Sequence, residues 1–199
     1  MSYRVITISR APCSGARRIA HAVSEQLGIG YYDKELITLA AKRSGLSEEA
    51  IAVSEQEHTG SLLYSLYTLG NHLPLADQVY ILQSNIIKDV AAEGPCVIVG
   101  RCADYVLADR PDVLKVFLYG DEDFRIVTGR KYNQLPEGDA EARTALRKAD
   151  KKKADYYRYY TQNRWGQAEH YDLCLNAALG VDICVELIKT AYAAGPAKK

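Results

Sequence analysis

The residues best able to do chemistry near the start of the chain form a short loop between an apolar run and an amphipathic stretch. Val5 to Ile8 is apolar and largely β-branched, as in a buried strand, and the loop RAPCSG follows closely. Apolar residues between Ile19 and Leu27 then recur at helical spacing, and Gly28 ends the predicted helix. Such a junction directs backbone N–H groups and the positive end of a helix dipole to one point, which predicts a phosphate site.

This loop matches the phosphate-binding motif GxxxxGK[ST] only in part. Arg10 stands at the position of the first Gly, Gly15 matches the second, and Ala16 occupies the Lys position. Arg17 and Arg18 oppose the helix dipole, and a bound anion would explain their position. The alternative is a tight turn followed by solvated arginines. The predicted phosphate-binding residues are Arg10, Cys13, Ser14, Gly15, Ala16, Arg17 and Arg18.

Two polar residues follow other predicted strands. Asp33 comes directly after the strand at 30–32, where it could orient an acceptor group or cap the next helix. Arg101 follows the buried run CVIV and Gly100, at the carboxyl end of a strand, where open α/β sheets bind ligands. A surface ion pair of Arg101 with Asp104 or another neighbour is the alternative. Asp33 and Arg101 are therefore the predicted contacts to a second, acceptor ligand.

A long charged helical region over about 139–163 supplies further candidates. Arg147, Asp150 and Lys153 recur every three residues and so share a helix face, and Arg158 follows them. A solvated surface with salt bridges would explain the same charges. The region also holds an aromatic group that could stack on a base or form a dimer surface, although packing is the favoured interpretation. Its members are Tyr156, Tyr157, Tyr159, Tyr160 and Trp165.

The pattern of apolar runs predicts a parallel α/β sheet. Runs such as CVIV and VLKVFLY lack alternation, as expected of parallel strands covered on both faces. Helical stripes separate the runs, including one from Leu75 to Val90, so right-handed crossovers are expected. The segment from Glu55 to Pro74 has no clean period and is interpreted as mobile helices and loops. The predicted strands are 4–8, 30–32, 96–99, 113–119 and 171–176.

Composition excludes several classes of protein. The 199 residues carry 25 Lys and Arg against 25 Asp and Glu, so no overall basic field favours nucleic acid. Five cysteines without a CxxC pair favour reduced thiols and the cytoplasm, and no apolar run approaches a membrane span. The four histidines show no ligand spacing, so no metal-binding side chains are predicted. A single soluble domain is expected.

Together these segments resemble the cytidylate kinase-like family of P-loop proteins, relatives of the nucleoside monophosphate kinases. The likeness is carried by VITISR with Ser14-Gly15-x-Arg17, YYDKELI, SGLSEE, VIVGRCADYVL, VFLYGDEDFRI, and DKKKADYYRYYTQNRWG with YDLCLN. The resemblance implies one three-layer P-loop NTPase domain over residues 1–199. Its parts would be a core (1–32, 75–134 and 166–194), an acceptor-binding segment (33–74) and a lid (135–165).

The resemblance also implies an activity. By its resemblance to this family, the chain is expected to transfer the γ-phosphate of ATP to a nucleoside monophosphate such as CMP or dCMP, and to use Mg²⁺ for this reaction. On this likeness the loop from Arg10 to Arg18 binds ATP, and Asp33 and Arg101 bind the acceptor. The implied catalytic residues are Arg17, Arg147, Asp150 and Lys153, and the implied lid contacts are Tyr156 and Arg158. Nucleotides are the expected partners, together with a possible homodimer.

Departures from the family pattern predict slow turnover. Cys13 and Ala16 replace loop glycines, and a positive φ at Ala16 would cost about 1 to 2 kcal/mol. Lys153 stands where the lid pattern D-x-x-R has Arg, and a Lys cannot place two donors on one phosphate. The alternative function is therefore a catalytically weak or inactive nucleotide-binding regulator. A third possibility is an interaction module that dimerises through the Tyr-rich helix.

Overall fold

A five-stranded parallel sheet forms the centre of the computed structural model, which describes residues 2–54 and 73–196. The strand order is β2-β3-β1-β4-β5. The parallel sheet expected from the apolar runs is confirmed, although β1 continues two residues beyond its predicted end. The strands are β1 (Val5–Arg10), β2 (Gly30–Tyr32), β3 (Cys96–Val99), β4 (Val113–Tyr119) and β5 (Leu173–Asn176).

Helices cover both faces of this sheet. The described helices are α1 (Ala16–Leu27), α2 (Glu35–Ser44), α3 (Glu48–Ser54), α4 (Leu75–Glu93), α5 (Ala103–Val106), α6 (Glu122–Lys131), α7 (Asp139–Thr161) and α8 (Val181–Ala194). One core contains Ile6 and Ile8 with residues of α1 and α8, and the other contains Val5 and Ile98 with residues of α2 and α4. Because successive side chains of a strand point to opposite faces, β1 contributes to both cores, and the predicted three-layer arrangement is confirmed.

The loop between β1 and α1 differs from the sequence-based expectation at one residue. Ala16 is the first residue of α1 and lacks a positive φ, whereas Cys13 has φ 59° and Gly15 has φ 75°. The predicted strain at Ala16 is therefore wrong, because the helix begins early enough to place Ala16 in the right-handed region. The left-handed conformation that disfavours a side chain lies at Cys13 instead.

Helix α7, the major part of the predicted lid, is joined to the core along its C-terminal half. The Tyr157 hydroxyl donates to Asp104 at 2.6 Å, and both residues are 4% exposed. The Tyr160 hydroxyl donates to Asp77 on α4 at 3.1 Å, and its ring stacks on Tyr80 with centroids 3.7 Å apart. These contacts show that Tyr157 and Tyr160 serve packing.

The helical periodicity predicts Leu75 on the buried stripe of α4, but Leu75 is 45% exposed, because the helix begins there and its first turn extends past the core. The expectation of mobile helices and loops concerns a segment of which 55–72 lies outside the described residues. Among the helices that the structure does describe, none is long and apolar enough to cross a membrane.

We predict that Ala16→Gly lowers the free energy of unfolding by roughly 0.5 to 1 kcal/mol, because it adds backbone freedom without relieving strain. The same change at Cys13 should lower it less, since the removal of about 1 to 2 kcal/mol of left-handed strain offsets the entropy cost and the lost packing of the thiol against the core of Ile126. Urea unfolding of the two variants measures the difference. A more stable Ala16→Gly than Cys13→Gly variant would contradict this assignment of the strain.

Candidate functional site

Three arginines surround one buried carboxylate at the carboxyl edge of the sheet. Arg17 Nε lies 2.6 Å from Asp33 Oδ2, while Nη2 of Arg10 and Nη1 of Arg101 each lie 3.5 Å from Oδ1. Arg101 Nη1 also donates to the Asp33 carbonyl oxygen at 2.7 Å. The Asp33 side chain is 5% exposed. Three guanidiniums thus meet at one carboxylate, and this group is called the arginine cluster below.

The sheet order brings these residues together. Arg10 ends β1, Asp33 follows β2 and Arg101 follows β3, and these strands are neighbours whose carboxyl ends lie at one edge. Gly100 has φ 77°, and a Cβ atom there would lie 2.5 Å from Arg10 Nη1, so a glycine lets the guanidinium pass. Arg101 and Cys102 also have positive φ, at 52° and 54°. Such a turn stores strain, which is common where a side chain is aimed at a ligand.

The helix-cap role of Asp33 and the ion pair of Arg101 with Asp104 are wrong. Asp33 is not a helix cap, because α2 begins at Glu35 and the Asp33 carboxylate is held by guanidiniums. Its backbone N–H donates instead to the Glu35 carboxylate at 2.8 Å. The alternative ion pair of Arg101 with Asp104 is absent from the described structure, where Asp104 accepts from Ser9 and Tyr157. Burial lowers the pKa of Arg10, and the Asp33 charge opposes that shift.

The loop beside the cluster fits a phosphate with its Mg²⁺. Helix α1 has no capping side chain and no acidic residue in its first turn, so its N-terminal amides and dipole favour an anion. Ser14 is 2% exposed, and its hydroxyl has no hydrogen-bond partner among residues 2–54 and 73–196. A buried hydroxyl without a partner is costly, and a phosphate oxygen or metal-bound water would satisfy it. Arg18 donates to the Tyr132 hydroxyl at 2.7 Å.

The predicted catalytic residues of α7 point to different neighbours. Asp150 accepts two hydrogen bonds from Arg125, at 2.7 and 2.9 Å, and Arg125 Nη1 lies 3.4 Å from the Pro12 carbonyl of the loop. Arg147 is 71% exposed and pairs with Glu122 on α6, as a solvated surface would. The charge of Lys153 acts on Cys102, whose pKa is raised by burial. Asp150 is thus linked to the phosphate loop, whereas Arg147 is not.

The remaining predicted contacts of the lid are aromatic or distant from the cluster. Tyr156 packs edge-on against Tyr160, with ring centroids 5.0 Å apart. Arg158 lines a separate cleft between α7 and the end of β4. Cys13 packs with Leu135 against the small core of Ile126, Ala142 and Leu146. Its thiol is therefore partly buried, and this burial raises the pKa of the thiol. The described residues contain no group of three or more metal-ligating side chains.

Sequence reasoning missed Asp104 and Arg125. Asp104 is buried and accepts from the Ser9 hydroxyl at 3.1 Å as well as from Tyr157, so it joins β1, α5 and α7. Burial raises its pKa, and the hydrogen bonds from Tyr157 and Ser9 oppose the rise. Arg125 is 9% exposed and belongs to the segment VFLYGDEDFRI. The signal in the sequence was that Asp104 and Arg125 each follow the end of a predicted strand by a few residues, which places them near the carboxyl edge of the sheet.

We predict that Asp104→Asn gains stability relative to the parent as pH rises from the ordinary Asp value of 3.8. The pKa of folded Asp104 is raised, so the folded state binds the proton more tightly, and the parent loses stability as pH rises through that folded pKa. Urea unfolding across this range gives the difference between the two proteins. Asp109→Asn, at an exposed position, is the matched control. Equal pH profiles for the two variants would contradict the prediction.

Comparison with known proteins gives one family and several similar folds. The model of the cytidylate kinase-like family matches residues 5–178. An uncharacterised protein from Eubacterium ventriosum is similar over 94% of this chain and 97% of its own, at 25% identity and a TM-score of 0.70. No curated protein matches.

Two kinase structures share the fold at lower identity. Shikimate kinase from Bacteroides thetaiotaomicron has 15% identity and a TM-score of 0.59, over 94% of this chain and 96% of its own. A gluconokinase from Sinorhizobium meliloti has 13% identity and a TM-score of 0.53, over 94% and 90%. These identities support the fold alone, whereas the family match spans most of the chain. With its strand, loop and arginine cluster arranged as described, the chain belongs to the cytidylate kinase-like family.

Proposed function

We propose that this protein transfers the γ-phosphate of ATP to a nucleoside monophosphate, CMP or dCMP. Its family and fold support the coarser description, a nucleotide-binding phosphotransferase of the kinase type. The observation that carries the finer proposal is the arginine cluster beside the loop at the N-terminus of α1. Two adjacent anion sites are what a reaction between two phosphorylated nucleotides requires.

The loop residues would hold ATP. The amides at the start of α1 and the arginines Arg17 and Arg18 face the β- and γ-phosphates in this proposal, with Ser14 near the metal. Mg²⁺ would be held through phosphate oxygens and water, and it supplies charge neutralisation at the transferring phosphate. Arg125, bonded to both Asp150 and Pro12, would fix α7 relative to the loop.

Arg101 of the arginine cluster would hold the acceptor phosphate, beside the ATP site to which Arg10 and Arg17 belong in this proposal. The carboxylate of Asp33 offers the guanidiniums of the cluster a single negative charge. A phosphate dianion near Arg101 carries more charge and more oxygen atoms than this carboxylate, and it would compete with Asp33 for the guanidiniums. Asp33 would then be released to orient the acceptor. Phosphoryl transfer needs positioning and charge stabilisation more than covalent chemistry, so converging guanidiniums are the groups that matter.

A second candidate is a nucleotide-binding regulator with little turnover. Lys153 stands where the family carries Arg, and Asp33 already engages the arginines that would bind the acceptor. Both features act against transition-state stabilisation more than against ATP binding.

A product assay tests the proposal. ATP would be incubated with CMP, dCMP, UMP, AMP, shikimate and gluconate, and the phosphorylated products identified. Phosphorylation of CMP or dCMP in preference to all others is the expected result. Turnover of shikimate or gluconate instead would overturn the nucleotide acceptor, and ATP binding without any product would favour the regulator.

We predict that Arg101→Ala raises the KM for CMP by about ten- to a hundredfold while changing the KM for ATP much less. The loss corresponds to roughly 1.5 to 3 kcal/mol for a charge-assisted phosphate contact. KM reports binding here because slow chemistry lets the substrate equilibrate. Arg43→Ala, which removes an exposed guanidinium paired with Asp89, is the control and should leave both constants unchanged. A similar loss for both substrates would move Arg101 out of the acceptor site.

We also predict that Lys153→Arg raises kcat by about tenfold, equivalent to ~1.4 kcal/mol of recovered transition-state stabilisation. Ala16→Gly should add nothing to this gain, since Ala16 lacks a positive φ. Steady-state kinetics of the two single variants and the double variant measure the effects. Lys152→Arg is the matched control on the same helix. A Lys152→Arg enzyme as fast as Lys153→Arg would show that position 153 has no special role.

A further inference from the structure

A second cleft, of about 1120 Å³, lies beside the C-terminal half of α7. Its walls are the C-terminal half of α7, the end of β4 and the segment 162–170. No residue of the arginine cluster lines it. Ligand pockets usually measure about 300 to 1,000 Å³, so this cleft has room for a molecule the size of a mononucleotide.

One face of α7 lines the cleft. Asp150, Ala154, Arg158 and Gln162 recur every four residues on it. Tyr157, which bonds to Asp104, and Asp150, which bonds to Arg125, hold α7 in place. These contacts fix the helix, so the position of Arg158 at the cleft is set by the fold.

The charges on the cleft wall are not balanced. Four cationic side chains and two carboxylates line it. Asp150 is paired with Arg125 at 2.7 Å, and Asp155 lies 3.8 Å from Lys151. In the described part of the chain, the guanidiniums of Arg158 and Arg164 have neither an ion pair nor a hydrogen bond. Two guanidiniums facing one cleft favour an anionic ligand, because each can place two parallel donors on a carboxylate or phosphate.

An aromatic surface adjoins these arginines. Trp165 is half-buried and contacts Phe117 edge-on, with ring centroids 5.4 Å apart, and both line the cleft. Gly166 lets the chain turn here, since its φ is 73° and a Cβ atom would lie 3.0 Å from the Phe117 ring. The indole is thereby held against the floor of the cleft, where a planar ring can stack.

The cleft also reaches the phosphate loop. Ala11, the residue before the loop proline, lines it, as does Arg125, whose Nη1 lies 3.4 Å from the Pro12 carbonyl. From the unbalanced arginines, the aromatic floor and this opening, we propose that the cleft is a second ligand site that binds a ring-bearing anion of mononucleotide size. Its ring stacks on Trp165, and its phosphate pairs with Arg158 and Arg164. This inference does not depend on the proposed phosphotransfer.

The single tryptophan of the chain makes the test direct, because Trp165 fluorescence reports on this cleft. CMP is the probe, with cytidine as the ring alone and inorganic phosphate as the anion alone. CMP should quench the fluorescence at concentrations where neither fragment does. In Arg158→Ala/Arg164→Ala the apparent Kd should rise at least about tenfold, as expected when charge-assisted contacts are lost.

The matched control is Lys148→Ala/Lys152→Ala, which removes the same charge from α7 at positions outside the cleft and should leave the Kd unchanged. Arg101→Ala should also retain the quenching, which separates this site from the acceptor site. Equal quenching of the parent and the Arg158/Arg164 variant, or loss of quenching only in Arg101→Ala, would overturn the proposal.

Equilibrium dialysis with labelled CMP measures the binding where CMP leaves the Trp165 fluorescence unchanged. The parent should bind one equivalent more than the Arg158/Arg164 variant, and equal stoichiometry would overturn the proposal.

Discussion

The site depends on one carboxylate shared by three guanidiniums at the carboxyl edge of the sheet. Neighbouring strands lie about 4.8 Å apart, so Arg10 and Arg101, which follow adjacent strands, are forced close together. Guanidiniums that lie close together and are partly removed from water repel each other. Asp33, at the end of the next strand, relieves this repulsion by contacting all three arginines. Under the proposed function, a phosphate at this edge would relieve it further.

Contacts on more than one side of α7 fix the position of this helix. The side of the helix that carries Tyr157 and Tyr160 is fixed by buried hydrogen bonds and a stacked ring pair. Arg125 holds Asp150 from another side and touches the loop through Pro12. A helix held in this way can present charged groups to ligands with little loss of side-chain and backbone entropy on binding.

The sequence predicted the strands and most helices well, because local periodicity and β-branched runs determine them. The strands at 30–32, 96–99 and 113–119 begin and end where the apolar runs indicated. Residues whose role depends on tertiary contacts were less accessible. Asp33 has the residue type and place of a helix cap, and only the meeting of three distant arginines decides otherwise. The φ of Ala16 depends on where α1 begins, a boundary that side-chain pattern does not fix.

The pairing of β1 with β3 and β4 bears on how the chain folds. Ile8 lies beside Val99 and Val116, so the central strand finds both neighbours only after about ninety or more intervening residues have been arranged. Contacts of such large sequence separation form slowly, because chain entropy is lost before they are made. The edge that carries the arginine cluster is complete only when β1, β2 and β3 are in register. A partly folded chain without β3 would retain the α1 loop but lack the cluster, so under the proposed function affinity for the acceptor phosphate would report complete assembly of the sheet.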